Sequence, residues 1–149
     1  MIGELTNRQP FVLFPMGKKR FALHAEQVSE LARHKTHAED EPQSFPHTTP
    51  LLVGVVLRRN QIVPVADLAP ILIGPDAPER KFYLIVHRTV NGKPTRLAIP
   101  VTGECELAEA QPLPVTSELP PYVSGLLSLG EEIVEVLDIE QLMSPEVRA

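Results

Sequence analysis

The chain has 149 residues, enough for one domain or two very small ones with a true core, and its 43% hydrophobic and 22% charged residues are ordinary for a globular protein. A net charge of −5 supplies no field for nucleic acid or anionic lipid, and the longest apolar stretch, Leu51–Leu57, is far too short to cross a bilayer. Cys105 is the single cysteine, so an internal disulfide is excluded, and 16 prolines argue against long helices and for short strands joined by turns.

The opening stretch MIGELTNRQP lacks the basic start and apolar centre of a secretion signal, so a cytoplasmic protein is expected. Residues 11–16 (FVLFPM) and 20–24 (RFALH) flank the turn Gly17-Lys18-Lys19 and predict a hairpin. Residues 28–33 (VSELAR) are too short for periodicity to separate a strand from a helix end. Residues 35–50 are polar and broken by proline, as a surface loop would be. LLVGVVL and QIVPVAD then predict a second hairpin, with Arg58 and Arg59 at its tip. Pro64 lies inside its return leg, which predicts an edge strand or a bulge, because proline has no N–H to give a ladder. Asp67 closes that strand where a carboxylate can cap the short segment LAPIL.

A third hairpin runs from KFYLIVHR to TRLAIPV around Asn91-Gly92, a pair that tolerates positive φ. Cys105 falls in an expected strand with no histidine near it in sequence, and reads as packed and inert. Residues 109–121, rich in proline, read as a loop. YVSGLLSL and EIVEVLD form a fourth hairpin, and Asp138 with Gln141 has capping-box spacing before IEQLM. Gly54 and Gly125 sit inside strands, where glycine marks a bulge or a close backbone approach.

The chain repeats itself. GVVLRRNQIVPVADLAPIL (54–72) lies over GLLSLGEEIVEVLDIEQLM (125–143) with five of 19 positions identical, against about one expected by chance. Phe11-Val12-Leu13-Phe14 lies over Phe82-Tyr83-Leu84-Ile85, and after five inserted residues Arg20, Ala22, Glu30 and Leu31 lie over Arg96, Ala98, Glu106 and Leu107. Two similar β-subdomains, around 11–72 and 82–143, are the expectation.

The stretch from Gly54 to Leu72 resembles the signature of CheW-like chemotaxis adaptor domains through Gly54, Leu57, Arg58, Pro64, Val65, Asp67 and Leu68. The order of the remaining segments fits over about residues 11 to 143. The resemblance implies a mainly β fold: two small SH3-like five-stranded barrels packed together, with one or two short helices, forming a single CheW-like domain over 1–149. It also implies a non-catalytic adaptor that joins a chemoreceptor's cytoplasmic tip to the regulatory domain of a histidine kinase. Gly54, Val55, Val56, Arg58 and Arg59 become candidate partner-binding residues, while Pro64, Asp67, Gly125 and Asp138 are structural candidates. Arg59 stands where the family has glycine, so either the turn is altered or Asn60 supplies the left-handed residue.

No nucleophile with its base, and no acid–base pair, can be named, so no catalytic residue, cofactor or metal site is assigned. The basic tips Lys18-Lys19-Arg20 and Arg58-Arg59 lack interleaved aromatics, which argues against single-strand nucleic-acid binding. The alternative is a small metal- or ligand-binding β-protein using His34, His37 and His47 in the loop 34–47.

Overall fold

Strands of five to nine residues form between turns rich in glycine, asparagine and proline. A computed structural model describes residues 8–33 and 51–143. Strands β1 (Gln9–Met16) and β2 (Lys19–His24) form the first hairpin, and a 3-10 turn (Ala25–Gln27) leads into β3 (Val28–Arg33). Strands β4 (Leu52–Arg58) and β5 (Gln61–Ala66) form the second, followed by the one-turn helix α1 (Ala69–Leu72), which accepts Pro70 in its first turn. Strands β6 (Phe82–Val90) and β7 (Lys93–Val101) form the third, and β8 (Glu106–Ala110) follows. Strands β9 (Val123–Leu129) and β10 (Glu132–Leu137) form the fourth and end in α2 (Ile139–Leu142). The mainly β class, with two five-stranded curled sheets and two short helices, is as the sequence led us to expect.

The strands do not sort by halves of the chain. Barrel A has the order β8-β1-β2-β10-β9 and barrel B the order β3-β6-β7-β5-β4. Each barrel therefore takes strands from both copies of the repeat, and the contiguous segments 11–72 and 82–143 do not each close a sheet. Exchanging the two copies maps one order onto the other. The registers agree: Val136 pairs Ala22 in the parallel contact of β10 with β2, and Val65 pairs Ala98 in that of β5 with β7. The match of the first strands is corrected by one residue. Leu13 pairs Ala22 and Glu106, whereas the residue pairing Ala98 and Glu30 is Ile85, not Leu84. A one-residue slip in a strand exchanges core and outer faces, so the distinction is physical.

Three apolar cores follow from the alternation of side chains along each strand. Phe11, Leu13, Ala22, Leu127, Val134 and Val136 fill barrel A. Val56, Val63, Val65, Tyr83, Ile85 and Ala98 fill barrel B. The opposite faces of β1, β2, β6 and β7 (among them Phe14, Phe21, Leu84 and Ile99) meet in a third and larger layer between the barrels, sealed by Leu68 before α1 and by Ile139 and Leu142 of α2. With both faces buried, β1 reads as an unbroken apolar run rather than an alternating one.

The repeated aspartates have parted in role. Asp138 accepts hydrogen bonds from the backbone N–H groups of Glu140 (3.0 Å) and Gln141 (3.2 Å) at the start of α2. Asp67 makes a longer bond to Ala69 N (3.4 Å) and is instead clamped by Arg80, whose Nη2 lies 2.6 Å from Oδ2. Gly54 and Gly125 each follow a bulge, where the register shifts between Leu52 and Gly54 and between Val136 and Leu137. A Cβ on Gly125 would meet only ordinary contacts, 3.6 Å at the nearest, so space alone does not demand glycine there.

Pro64 is not on an edge strand. β5 lies between β4 and β7. The proline is tolerated because the parallel ladder stops beside it. β10 pairs with β2 at both Glu135 and Val136, whereas β5 pairs with β7 only at Val65. The rung that Glu135 makes is absent at its counterpart, Pro64, which has no N–H to donate.

The β4–β5 turn places both Arg59 (φ 52°) and Asn60 (φ 65°) in the left-handed region, and the Asn91-Gly92 turn does the same. Two positive φ values in a two-residue loop match the twist of a hairpin. For arginine this geometry costs roughly 1–2 kcal/mol, which glycine avoids at an entropic cost of roughly 0.5–1 kcal/mol. Arg59→Gly should therefore raise Tm by about 2–3 °C, and Arg59→Val should lower it, because a β-branched residue suffers more at positive φ. Thermal denaturation followed by circular dichroism checks both; a lower Tm for the glycine variant would contradict the strain argument.

Candidate partner-binding surface

Along β4 the side chains alternate. Val56 is 2% exposed and belongs to the core of barrel B, and Gly54 is buried beside it. Neither presents a side chain to a partner. Val53 and Leu57, each 45% exposed, and the half-buried Val55 point the other way. Ile62 on β5 is 72% exposed. The outer face of this hairpin is thus apolar at Val53, Val55, Leu57 and Ile62.

Barrel A carries the same hairpin with a different outer face. The positions equivalent to Val53 and Leu57 are Ser124 and Ser128, both exposed. The shared fold requires the inward pattern in both copies. It does not require valine and leucine where water would otherwise be, and barrel A shows that serine serves there. The sequence reading passed over Val53, Leu57 and Ile62. The signal that locates Val53 and Leu57 is the valine-for-serine and leucine-for-serine difference between the two aligned copies; Ile62 has none, because its counterpart is Ile133.

Arg58 and Arg59 sit at the seam of barrel B. β3 and β4 are its two outermost strands in order, yet Glu30 of β3 lies 3.6 Å from Arg58 and 3.2 Å from Arg59. The carboxylate is only 17% exposed and Arg58 is half-buried, while Arg59 projects into water. Removal from water strengthens such a pair and makes its loss more costly. The seam of barrel A is closed differently. Leu113, within the proline-rich segment, exchanges backbone hydrogen bonds of 2.8 and 3.1 Å with Leu126 of β9.

Charge is distributed just as unequally. Arg20 of β2 donates to both oxygens of Glu132 on β10 (2.6 and 3.1 Å) and to Glu106 on β8 (2.7 Å), tying three strands together. Its hydrogen bond holds the Glu132 carboxyl below the usual range and pushes the Arg20 guanidinium further up. Lys19 lies 3.7 Å from Glu135 and over the ring of Phe21, so the first basic tip is largely neutralised within the chain. The counterpart of Arg20 in barrel B, Arg96, has no carboxylate among the described residues and donates to the Gln61 amide oxygen.

The CheW-like domain family matches residues 10–146. The chain belongs to that family. A solved structure, the scaffolding protein TtCheW from Thermoanaerobacter tengcongensis, is similar in fold, with a TM-score of 0.68 at 18% identity, over 91% of this chain and 88% of that one. No curated protein matches the sequence. Within a CheW-like frame, the residue that replaces the glycine of the signature, Arg59, keeps the left-handed turn and adds a second cation to Glu30.

The histidine-bearing loop of the metal reading, with His34, His37 and His47, lies outside the described residues. Among the described residues no cluster of three or more histidine, cysteine or acidic side chains could hold a metal ion. Cys105 lies just before β8 rather than within a strand. Burial pushes its thiol up to about 11.

Two outcomes follow from this geometry. Glu30→Ala removes the carboxylate shared by both arginines, so amide exchange in β3 and β4 should accelerate while that in β8 and β9 stays unchanged; uniform acceleration would show that the pair does not hold the seam. Cys105 should react with iodoacetamide at pH 8 roughly 100-fold more slowly in the folded chain than in denaturant, because the thiolate is the nucleophile. Since the folded pKa lies above the unfolded one, stability from the buried thiol is present below the unfolded value and fades as pH rises towards 11.

Proposed function

We propose that the chain is a non-catalytic cytoplasmic adaptor, a single unit of two barrels that couples the cytoplasmic tip of a chemoreceptor to the regulatory domain of a histidine kinase. Family membership supports the adaptor class, and the observation that carries the reading to a surface is the unequal outer faces of the equivalent hairpins. Barrel B keeps Val53, Leu57 and Ile62 in water beside the half-buried Val55, where barrel A has serine at two of the four positions. Exposed apolar side chains on a strand pair are what a docking centre needs, and burial there provides affinity. The Glu30–Arg58–Arg59 cluster lies at the rim, where charge sets orientation and association rate more than strength. Gly54 and Val56 support this surface from beneath.

The reading gives the chain no chemistry of its own. The cluster of Arg20 with Glu106 and Glu132 is an internal ion-pair network, one cation held between two carboxylates. Among the described residues no helix is long and apolar enough to cross a membrane.

A pull-down with an immobilised receptor tip and, separately, a kinase regulatory domain tests the proposal. Wild-type chain should be retained by both. Leu57→Glu should reduce retention by at least one of them about tenfold or more, while Ser128→Glu on the equivalent face of barrel A should leave that partner's binding unaltered. Failure of the wild-type chain to bind either partner, or equal effects of the two variants, would count against it.

A further inference from the structure

Between β5 and β7 lies a groove of about 670 Å³ that barrel B owes to its missing rung. Beyond the single pairing of Val65 with Ala98 the two strands have no further ladder, and the space between them stays open. Ile62, Pro64, Val90 and Leu97 give it apolar walls. Its charged lining is Arg88 and Arg96, with His87 beside them and no aspartate or glutamate, in a chain whose 19 acidic residues outnumber its 14 basic ones.

Arg88 is already engaged, with Glu140 at 3.1 and 3.2 Å. Arg96 is not. Its counterpart Arg20 holds two carboxylates, Glu132 and Glu106. Barrel B has replaced the first by Gln61, and the equivalent of the second, Glu30, is held by Arg58 and Arg59. The cation has been kept and both of its anions have been taken away. A neutral amide satisfies one N–H of the guanidinium but supplies no counter-charge.

We propose that this groove receives an acidic segment of a protein partner, with a partner carboxylate on Arg96 in the place Glu132 occupies in barrel A, and an adjoining apolar side chain against Ile62 and Pro64. The inference rests on the adaptor reading and adds the chemistry of one docking segment to it. The apolar walls favour a peptide over a nucleic-acid backbone, because no tryptophan, tyrosine or phenylalanine lines the groove to stack a base.

The test uses the full chain and fluorescein-labelled twelve-residue peptides of alternating Glu and Leu, with Gln/Leu and Lys/Leu peptides and oligothymidylate as comparisons, read by anisotropy and by amide shifts in isotope-labelled protein. The Glu/Leu peptide should bind and shift Ile62, Thr95 and Arg96, and the comparison ligands should bind about tenfold more weakly or worse. Gln61→Glu restores the internal carboxylate; it should weaken peptide binding about tenfold without lowering Tm, and Arg96→Gln should weaken it similarly. No binding by the Glu/Leu peptide, binding that ignores both variants, or tighter binding of oligothymidylate would overturn the proposal. The pull-down separates the two ideas. Partners captured by a chain that does not take the peptide would leave the adaptor reading standing without this groove. Peptide bound in the groove by a chain that captures neither partner would do the reverse.

Discussion

Exchange of strands between the halves of the chain is the constraint on which the rest of the structure depends. Each barrel is closed by a parallel contact between a strand of one copy and a strand of the other: β10 with β2, and β5 with β7. Neither copy can complete a barrel alone. The exchange also forces β1, β2, β6 and β7 to bury both faces, one inside a barrel and one in the layer between barrels. Phe14, Phe21, Leu84 and Ile99 in that layer are fully buried, and burial of such side chains contributes about 1.5–3 kcal/mol each. Burial across that layer couples the two barrels, which suits the adaptor role proposed for the chain.

Against that common frame, the differences between equivalent positions carry meaning that neither copy has alone. Glu132 and Gln61, Ser128 and Leu57, and Glu135 and Pro64 occupy matching places in the two barrels. In barrel A each choice satisfies the chain itself: an ion pair, a wetted face, a completed rung. In barrel B each choice leaves something undone: a cation facing an amide, an apolar face in water, a ladder cut short. The fold does not require these three choices, because the other copy folds without them. The docking proposed for barrel B would complete all three.

The sequence carried the strands, turns and class, because these rest on local periodicity and on residues such as Asn91-Gly92 whose conformational preference is intrinsic. It did not carry the partnership of strands. Parallel pairing of β5 with β7 joins residues about 30 positions apart through backbone atoms, and nothing in the side-chain pattern of QIVPVAD names its neighbour. Pro64 misled for the same reason: proline excludes a rung, not a strand, and an internal strand accepts it where one ladder has already ended. The slip of one residue in the first strands arose because both faces of β1 and β6 are apolar, so FVLF and FYLI match in two registers. Arg58 and Arg59 were legible as a hairpin tip, but their shared partner Glu30 lies across the seam and became visible only with the barrel closed.

The 18% identity with TtCheW at a TM-score of 0.68 has a physical reading in these terms. Three cores built mainly from Val, Ile, Leu, Ala and Phe demand volume and alternation rather than particular residues, so a fold of this kind tolerates low identity. Two of the signature positions have backbone duties as well. Asp67 fixes the chain at the end of β5 by holding Arg80, and the left-handed turn after Arg58 sets the register of the hairpin. Arg59 shows how far that duty can stretch. It accepts a strained backbone and places a second cation on Glu30, so the departure from glycine exchanges turn stability for charge at the rim of the apolar face.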